Sequence, residues 1–121
     1  NTKMTLQETV QKIEEFRVAR DWKQFHNPKN LAIALSCEAS EVIEYFMWKN
    51  MEESRECLKD PKKVAEFKQE LADVGIYLLL LCQEVGVDLT EIILEKLEIN
   101  GKKYPVEKAK GTSKKYNEFV K

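Results

Sequence analysis

Acidic side chains recur three residues apart in two separate parts of the chain. In the first part, Glu38 is followed by Glu41 and then by Glu44, and in the second part Glu70 is followed by Asp73. Because side chains at positions i and i+3 are neighbours on an α-helix, each part would present its carboxylates together. The same spacing is also common on solvated helix faces, where carboxylates pair with lysines.

The residues around these carboxylates are apolar rather than charged, as residues 37–43 and 71–76 show. Carboxylates that converge in a poorly solvated place repel one another unless a cation neutralises them. A ligand set made only of oxygens favours a hard cation, which indicates Mg²⁺ with Mn²⁺ as a substitute. The spacing alone does not distinguish a metal site from a solvated acidic helix face.

Other metal centres fit the residues less well. A di-iron bundle uses Glu-x-x-His motifs, and the single histidine, His26, lies outside both acidic parts. Cys37, Cys57 and Cys82 have neither CxxC nor Cys/His ligand spacing, so we expect free thiols in a reducing compartment, the cytoplasm. The longest apolar run is far shorter than the ~20 residues that span a bilayer, and no signal peptide is visible.

A lysine-containing stripe would suit the phosphates of an anionic ligand. Lys96, Asn100 and Lys103 recur at i, i+4 and i+7, so they would share one helix face. A solvated lysine face explains this spacing equally well. The net charge of −1 gives no general attraction to a nucleic-acid polymer, so a polyanion would need such a local site.

Aromatic side chains lie near both acidic parts. Tyr77 would share the helix face of the second acidic pair, and Trp48 that of Glu41 and Glu44. Trp22 and Phe25 lie in a break between helical patterns, where functional residues often occur. Rings beside a phosphate-binding cluster suggest stacking on a nucleobase, although Trp and Phe side chains are more often found in a core.

Four amphipathic helices are predicted to position these groups, at residues 6–20, 28–49, 61–86 and 88–103. Hydrophobic residues recur at helical spacing in each of them. Their starts are marked by Thr5, Asn27, Asp60 and Asp88, residues that cap helices well. Residues 50–60 are predicted to form a short helix or turn, residues 1–4 a tail, and residues 104–121 an extended arm.

The fold class that follows is all-α, with a four-helix-bundle-like protomer in a single domain over residues 1–121. The content of 43% hydrophobic and 34% charged residues excludes a disordered chain and a membrane protein. The third helix is apolar all round from Ile76 to Cys82, which predicts burial on every side. In so small a chain this suggests a second subunit, so we expect a dimer or tetramer, with the tetramer favoured.

The acidic pairs and their flanking residues resemble those of the MazG-like all-α nucleoside triphosphate pyrophosphohydrolases. Glu38-x-x-Glu41 followed by Glu70-x-x-Asp73 is similar to the family motif. The flanking sequence resembles the dCTP pyrophosphatase branch, with similarity running from about Leu6 to Tyr116. The segments that carry it are 20–22, 25–31, 46–49, 70–78, 96–100 and 103–105.

This resemblance implies hydrolysis of a nucleoside triphosphate, dCTP or a related dNTP, to the monophosphate and pyrophosphate, which would clean the nucleotide pool. The implied magnesium ligands are Glu38, Glu41, Glu70 and Asp73. Apart from the resemblance, a carboxylate that is not fully engaged with metal, Glu41 or Glu44, is our hypothesis for the general base, which completes the predicted catalytic set. The predicted substrate-binding residues are Trp22, Phe25, His26, Lys29, Trp48, Tyr77, Lys96, Asn100, Lys103 and Tyr104.

Two alternatives stay open at the level of sequence. A related hydrolase of the same superfamily, dUTPase-like or acting on phosphoribosyl-ATP, would act on a different substrate. A non-catalytic helical module would bind a nucleotide or a protein partner without turnover. Under every alternative we expect no nucleic-acid polymer and no membrane as partner.

Overall fold

The computed structural model of the protein describes residues 3–113, and within this range it contains helices and turns but no strand. The all-α prediction is therefore confirmed. Two short 3₁₀ turns, Lys23–Phe25 and Cys57–Lys59, connect the helices. The α-helices are α1 (Leu6–Ala19), α2 (Pro28–Glu44), α3 (Met51–Glu56), α4 (Pro61–Val85), α5 (Leu89–Lys103) and α6 (Val106–Ala109).

The capping residues identified in the sequence begin the long helices. Thr5, Asn27, Asp60 and Asp88 each accept a hydrogen bond from a backbone N–H in the first turn that follows, at 3.1, 2.8, 3.0 and 2.9 Å. Each bond satisfies a backbone donor that the helix itself leaves unpaired. Gly86 ends α4 with a φ of 75°, a left-handed conformation that glycine adopts without a steric penalty.

The second helix is shorter than predicted, because α2 ends at Glu44 rather than Lys49. Beyond this point the backbone tightens: the N–H of Phe46 donates to the carbonyl of Ile43 at 2.9 Å, and that of Lys49 to Phe46 at 3.1 Å. Trp48 then adopts a left-handed conformation with a φ of 69°. The prediction that Trp48 shares a helix face with Glu41 and Glu44 is therefore wrong.

Aromatic packing against α4 occurs directly after the end of α2. The Tyr45 and Phe46 rings both pack against the Phe67 ring in T-shaped geometry, with ring centroids 5.3 and 5.5 Å apart. An ideal helix would point these two neighbouring residues in directions about 100° apart. The end of α2 coincides with the place where two adjacent rings contact one ring of α4.

The core lies where α4 packs against α2 and, to a lesser extent, α1. Leu31 of α2 is almost fully buried, and Leu79, Leu80 and Cys82 of α4 are buried as well. The prediction that α4 is buried on every side holds only in part for one copy of the chain, since Ile76 is still 39% exposed. No helix in residues 3–113 is long and apolar enough to cross a membrane.

The chain divides into two compact units, one ending at Gly86 and the other beginning at Val87. In the second unit, α5 leaves Ile93, Leu94 and Leu97 exposed within the single chain. The predicted extended arm is partly helical, because α6 forms one turn directly after Pro105. The rest of that arm from residue 114, and residues 1–2 of the predicted tail, lie outside the described residues.

The cluster of three rings predicts a measurable effect of Phe67→Ala. Removing this half-buried ring takes away the surface on which both Tyr45 and Phe46 pack, and we expect a loss of about 2 kcal/mol in the free energy of unfolding. Urea denaturation at fixed protein concentration measures this loss. The exposed Met51 provides the control, since Met51→Ala should change stability by less than about 0.5 kcal/mol. Equal effects of the two substitutions would contradict this account of the packing.

Candidate metal and nucleotide site

The packing of α2 against α4 brings three of the predicted carboxylates together. Glu70 and Asp73 lie one turn apart on α4, and Glu38 reaches them from α2. Each of the three offers an oxygen within 4.8 Å of the others. The pair of carboxylates on α4 and the third carboxylate from α2 thus form one cluster.

The close approach of the carboxylates affects the pKa of Glu38. Burial raises the pKa of Glu38 above its usual range, and the charges of Asp73 and Glu70 raise it further. Both causes disfavour the ionised form. Without a cation, the cluster is therefore an electrostatically unfavourable arrangement.

This donor set fits a hard divalent cation. All three donors are carboxylate oxygens, the ligands that Mg²⁺, Mn²⁺ and Ca²⁺ prefer. Oxygens bound to one Mg²⁺ lie at most about 4.2 Å apart, twice the usual metal–oxygen distance. The three oxygens lie within 4.8 Å of one another, so side-chain rotations alone could bring them around one ion.

Glu41 and Glu44 lie in an adjoining acidic cleft rather than in the three-carboxylate cluster. This cleft of about 250 Å³ is lined by Glu41, Glu44, Glu70, Tyr45 and Glu66. The pKa of Glu41 is raised, first by the charge of Glu44 and by a hydrogen bond with that carboxyl group. Glu70 borders both places, so Glu41 is close to the cluster without being part of it.

A second pocket, of about 240 Å³, adjoins the cluster on the other side. Asp73 belongs both to the cluster and to the wall of this pocket. The other lining residues come from α1, the following turn and α4: Ile13, Phe16, Arg17, Trp22, His26, Ile76, Tyr77 and Leu80. Predicted substrate-binding residues Trp22, His26 and Tyr77 therefore meet here. We call this space the ring pocket.

The end of α1 positions Trp22 in the wall of the ring pocket. Asp21 adopts a left-handed conformation with a φ of 54°, and the Trp22 N–H donates back to the carbonyl of Arg17 at 3.0 Å. The indole then meets Phe16 edge-on, with ring centroids 5.7 Å apart. Trp22 is nevertheless 45% exposed, so part of the ring is open to a ligand.

His26 enters the pocket as a neutral side chain. Burial lowers the pKa of His26, and the charge of Arg17 lowers it further. Its Nδ1 atom is buried and has no hydrogen-bond partner among the described residues. An uncharged imidazole is compatible with a pocket that binds an uncharged ring.

Sequence reasoning missed the contribution of α1 to this pocket, above all that of Arg17. The sequence does contain an indication of this role, because Arg17 follows Ile13 by four residues and so lies on the apolar face of the first helix. Arg17 is the only charged residue buried in the described part of the chain. An arginine on the buried face of a helix points to a specific partner or function.

Several predicted substrate-binding residues are not brought to the ring pocket. Phe25 and Trp48 are 61% and 95% exposed, and Lys29 is also exposed. None of the three lines the ring pocket or the acidic cleft. Lys96, Asn100 and Lys103 all lie on α5 as predicted, with Tyr104 directly after it, in the second compact unit.

The chain is similar to known proteins over most of its length. Human (Homo sapiens) dCTP pyrophosphatase 1 is 40% identical over 115 residues, covering 95% of this chain and 68% of the human protein. The Mus musculus protein of the same name is 39% identical with the same coverage. The crystal structure of a pyrophosphatase from Archaeoglobus fulgidus DSM 4304 has a TM-score of 0.78 and 38% identity, covering 87% of this chain and 96% of that one.

The chain also matches a known protein family. Residues 33–119, which contain both acidic pairs and all of α4 and α5, match the MazG-like family. This range and the relatives agree with the resemblance that the acidic pairs and their flanking residues indicated. The chain therefore belongs to the MazG-like family.

Proposed function

We propose that this MazG-like protein hydrolyses deoxynucleoside triphosphates, with dCTP as the preferred substrate, to the monophosphate and pyrophosphate. The activities named for its relatives support a nucleoside triphosphate pyrophosphohydrolase. The observation that carries the proposal is the position of Asp73, which borders both the carboxylate cluster and the ring pocket.

This shared residue indicates which bond is broken. In a nucleotide, only the sugar separates the base from the α-phosphate. A base in the ring pocket would therefore place the α-phosphate, rather than the γ-phosphate, nearest the cluster. Attack of water at the α-phosphorus releases pyrophosphate, whereas attack at the γ-phosphorus would release inorganic phosphate.

In this proposal, Glu38, Glu70 and Asp73 hold magnesium, and Glu41 either completes the ligand set or, if it stays unbound, accepts the proton of the attacking water. When bound, the ion supplies positive charge for the phosphate oxygens and favours ionisation of water. Phosphoryl transfer needs mainly positioning and electrostatic stabilisation, so no covalent nucleophile on the protein is required.

The proton of the attacking water would pass to a carboxylate of the acidic cleft. The raised pKa of Glu41 makes its carboxylate a stronger base than an ordinary glutamate. Glu44, which shares a hydrogen bond with Glu41, is the other candidate for this role. Both glutamates line the cleft with Glu70, so they lie next to the cluster but are not part of it.

The ring pocket would bind the base through stacking on Trp22 and contact with Tyr77 and His26. Lys96, Asn100 and Lys103 would meet the phosphates, together with Tyr104. Phe25, Lys29 and Trp48 would join the site only in the assembled oligomer, for which a tetramer is proposed. The exposed apolar residues of α5 support such an assembly. The single domain and the cytoplasmic location stay predictions.

Loss of a cluster carboxylate should abolish most of the activity. We expect Asp73→Ala and Glu38→Ala each to lower kcat for dCTP by about 100-fold or more, because each removes a ligand from a three-carboxylate site. Chromatography of dCTP incubated with protein and Mg²⁺ follows dCMP and pyrophosphate. The exposed Glu52 of α3 provides the control, and Glu52→Ala should retain activity. Near-native rates in the cluster variants, or dCDP as product, would contradict the proposal.

Loss of the indole should weaken substrate binding more than chemistry. We expect Trp22→Ala to raise KM for dCTP by about 10-fold, since stacking of a base on an aromatic ring contributes roughly 1–3 kcal/mol. The value of kcat should change much less, because Trp22 is not in the carboxylate cluster. Steady-state kinetics over a range of dCTP concentrations separates the two parameters. A fall in kcat with unchanged KM would argue against a base-binding role.

The charge repulsion in the cluster predicts how pH and metal affect stability. In metal-free protein the pKa of Glu38 is raised in the folded state, so stability falls as pH rises from the ordinary carboxyl pKa through the raised one. Glu38→Gln should therefore be more stable than the wild type at pH 7 without metal, and the difference should vanish in acid. Addition of Mg²⁺ should raise the Tm of the wild type more than that of the variant.

Thermal melts with EDTA or with Mg²⁺, across pH, measure both effects. Glu52→Gln removes the same charge from an exposed position and controls for the change in net charge. The account would be wrong if Glu38→Gln and Glu52→Gln responded alike to pH and to Mg²⁺.

A further inference from the structure

The wall of the ring pocket contains a buried charge that the reaction chemistry above does not use, the guanidinium of Arg17. The Arg17 side chain is only 4% exposed, and Arg17 lines the pocket together with mostly apolar side chains. Burying a guanidinium is unfavourable unless its N–H groups find acceptors. An apolar residue would fill this part of α1 at no such cost.

Two carboxylates fix the orientation of this guanidinium. Nε donates to Glu14 on α1 at 2.7 Å, and Nη1 donates to Glu84 on α4 at 3.4 Å. Neither glutamate lines the ring pocket, whereas Arg17 does. Lys23 in turn contacts the other oxygen of Glu14 at 3.4 Å. The side chain is therefore held from outside the pocket, in one orientation.

The remaining terminal nitrogen, Nη2, takes no part in either of these ion pairs. A guanidinium is a donor only, stays charged at all relevant pH values, and presents its N–H groups in a fixed plane. A ligand in the ring pocket thus meets a side chain that can offer it hydrogen-bond donors but no acceptor.

We propose that Arg17 is a specificity-determining residue. Its guanidinium donates a hydrogen bond to the base, at the edge where cytosine has two acceptors, N3 and O2. The inference rests on the proposed function and names how its substrate is chosen. Thymine and uracil carry a hydrogen on N3, so at the same place a donor would face a donor. Such a mismatch leaves the N–H groups of both partners without an acceptor and so disfavours thymine and uracil.

A purely structural role for Arg17 makes a different prediction. If the guanidinium only ties α1 to α4, its loss would lower the hydrolysis of every triphosphate by the same factor. If it reads the base, its loss would lower hydrolysis of dCTP alone and reduce the preference for dCTP over dTTP. The ratio of kcat/KM values for two bases therefore separates the two roles.

The test uses the full chain with Arg17→Met and three triphosphates: dCTP, dTTP and the deoxynucleotide of 2,4-difluorotoluene, a ring with the shape of thymine and almost no hydrogen-bonding capacity. We expect kcat/KM for dCTP, and its ratio to that for dTTP, to fall roughly 10- to 100-fold. Hydrolysis of the difluorotoluene nucleotide should stay unchanged or rise, because its ring accepts no hydrogen bond from Arg17.

Arg17→Lys provides a second variant, since it keeps the charge beside Glu14 and Glu84 but lacks the planar fork. Its dCTP-to-dTTP ratio should also fall, and this variant tests the inference if Arg17→Met does not fold. Arg55→Met, at an exposed position on α3, is the matched control and should keep the wild-type ratio. Circular dichroism and thermal melts check the fold of each variant.

An unchanged dCTP-to-dTTP ratio in the folded Arg17 variants would overturn the inference. So would a loss of difluorotoluene nucleotide hydrolysis as large as the loss for dCTP. The proposed function fails by a separate observation, namely a wild-type protein that releases pyrophosphate from none of the triphosphates, and the inference would then fail with it.

Discussion

Three carboxylates lie closer together in this protein than their mutual repulsion favours. Glu38, Glu70 and Asp73 offer oxygens within 4.8 Å of one another, and the raised pKa of Glu38 reflects both their charges and their burial. The packing of α2 against α4, through Leu31, Leu79 and Leu80, supplies the apolar stabilisation that holds them in place. The cluster is thus kept ready for a cation by contacts that do not involve a cation.

The two sides of this cluster have different chemical properties. On one side lies the acidic cleft of Glu41 and Glu44, where protons can be accepted, and on the other lies the ring pocket, where an apolar ring can be enclosed. A nucleotide also has two chemically different ends, the phosphates and the base. The anionic phosphates would approach these carboxylates only with a cation between them, whereas the base needs no cation to enter the ring pocket.

Local features of the sequence predicted the fold class, the helix starts and the acidic pairs, because caps and i, i+3 spacing act within one turn. Features that depend on distant contacts were missed. The early end of α2 coincides with ring contacts to Phe67, and the orientation of Arg17 depends on Glu84, 67 residues away along the chain. Neither contact leaves a periodic pattern. Positions of Trp48 and Lys29 relative to the pocket could not be predicted for the same reason.

One helix, α4, supplies groups to every part of the site: Glu70 to the cleft, Asp73 to the cluster, Tyr77 to the ring pocket and Glu84 to the ion pair with Arg17. These positions span about 21 Å along a single rigid rod, at 1.5 Å per residue. A one-residue insertion or deletion between them would turn one part of the site about 100° away from the next. An insertion or deletion in this segment would therefore separate the parts of the site, whereas a substitution would leave their relative positions intact.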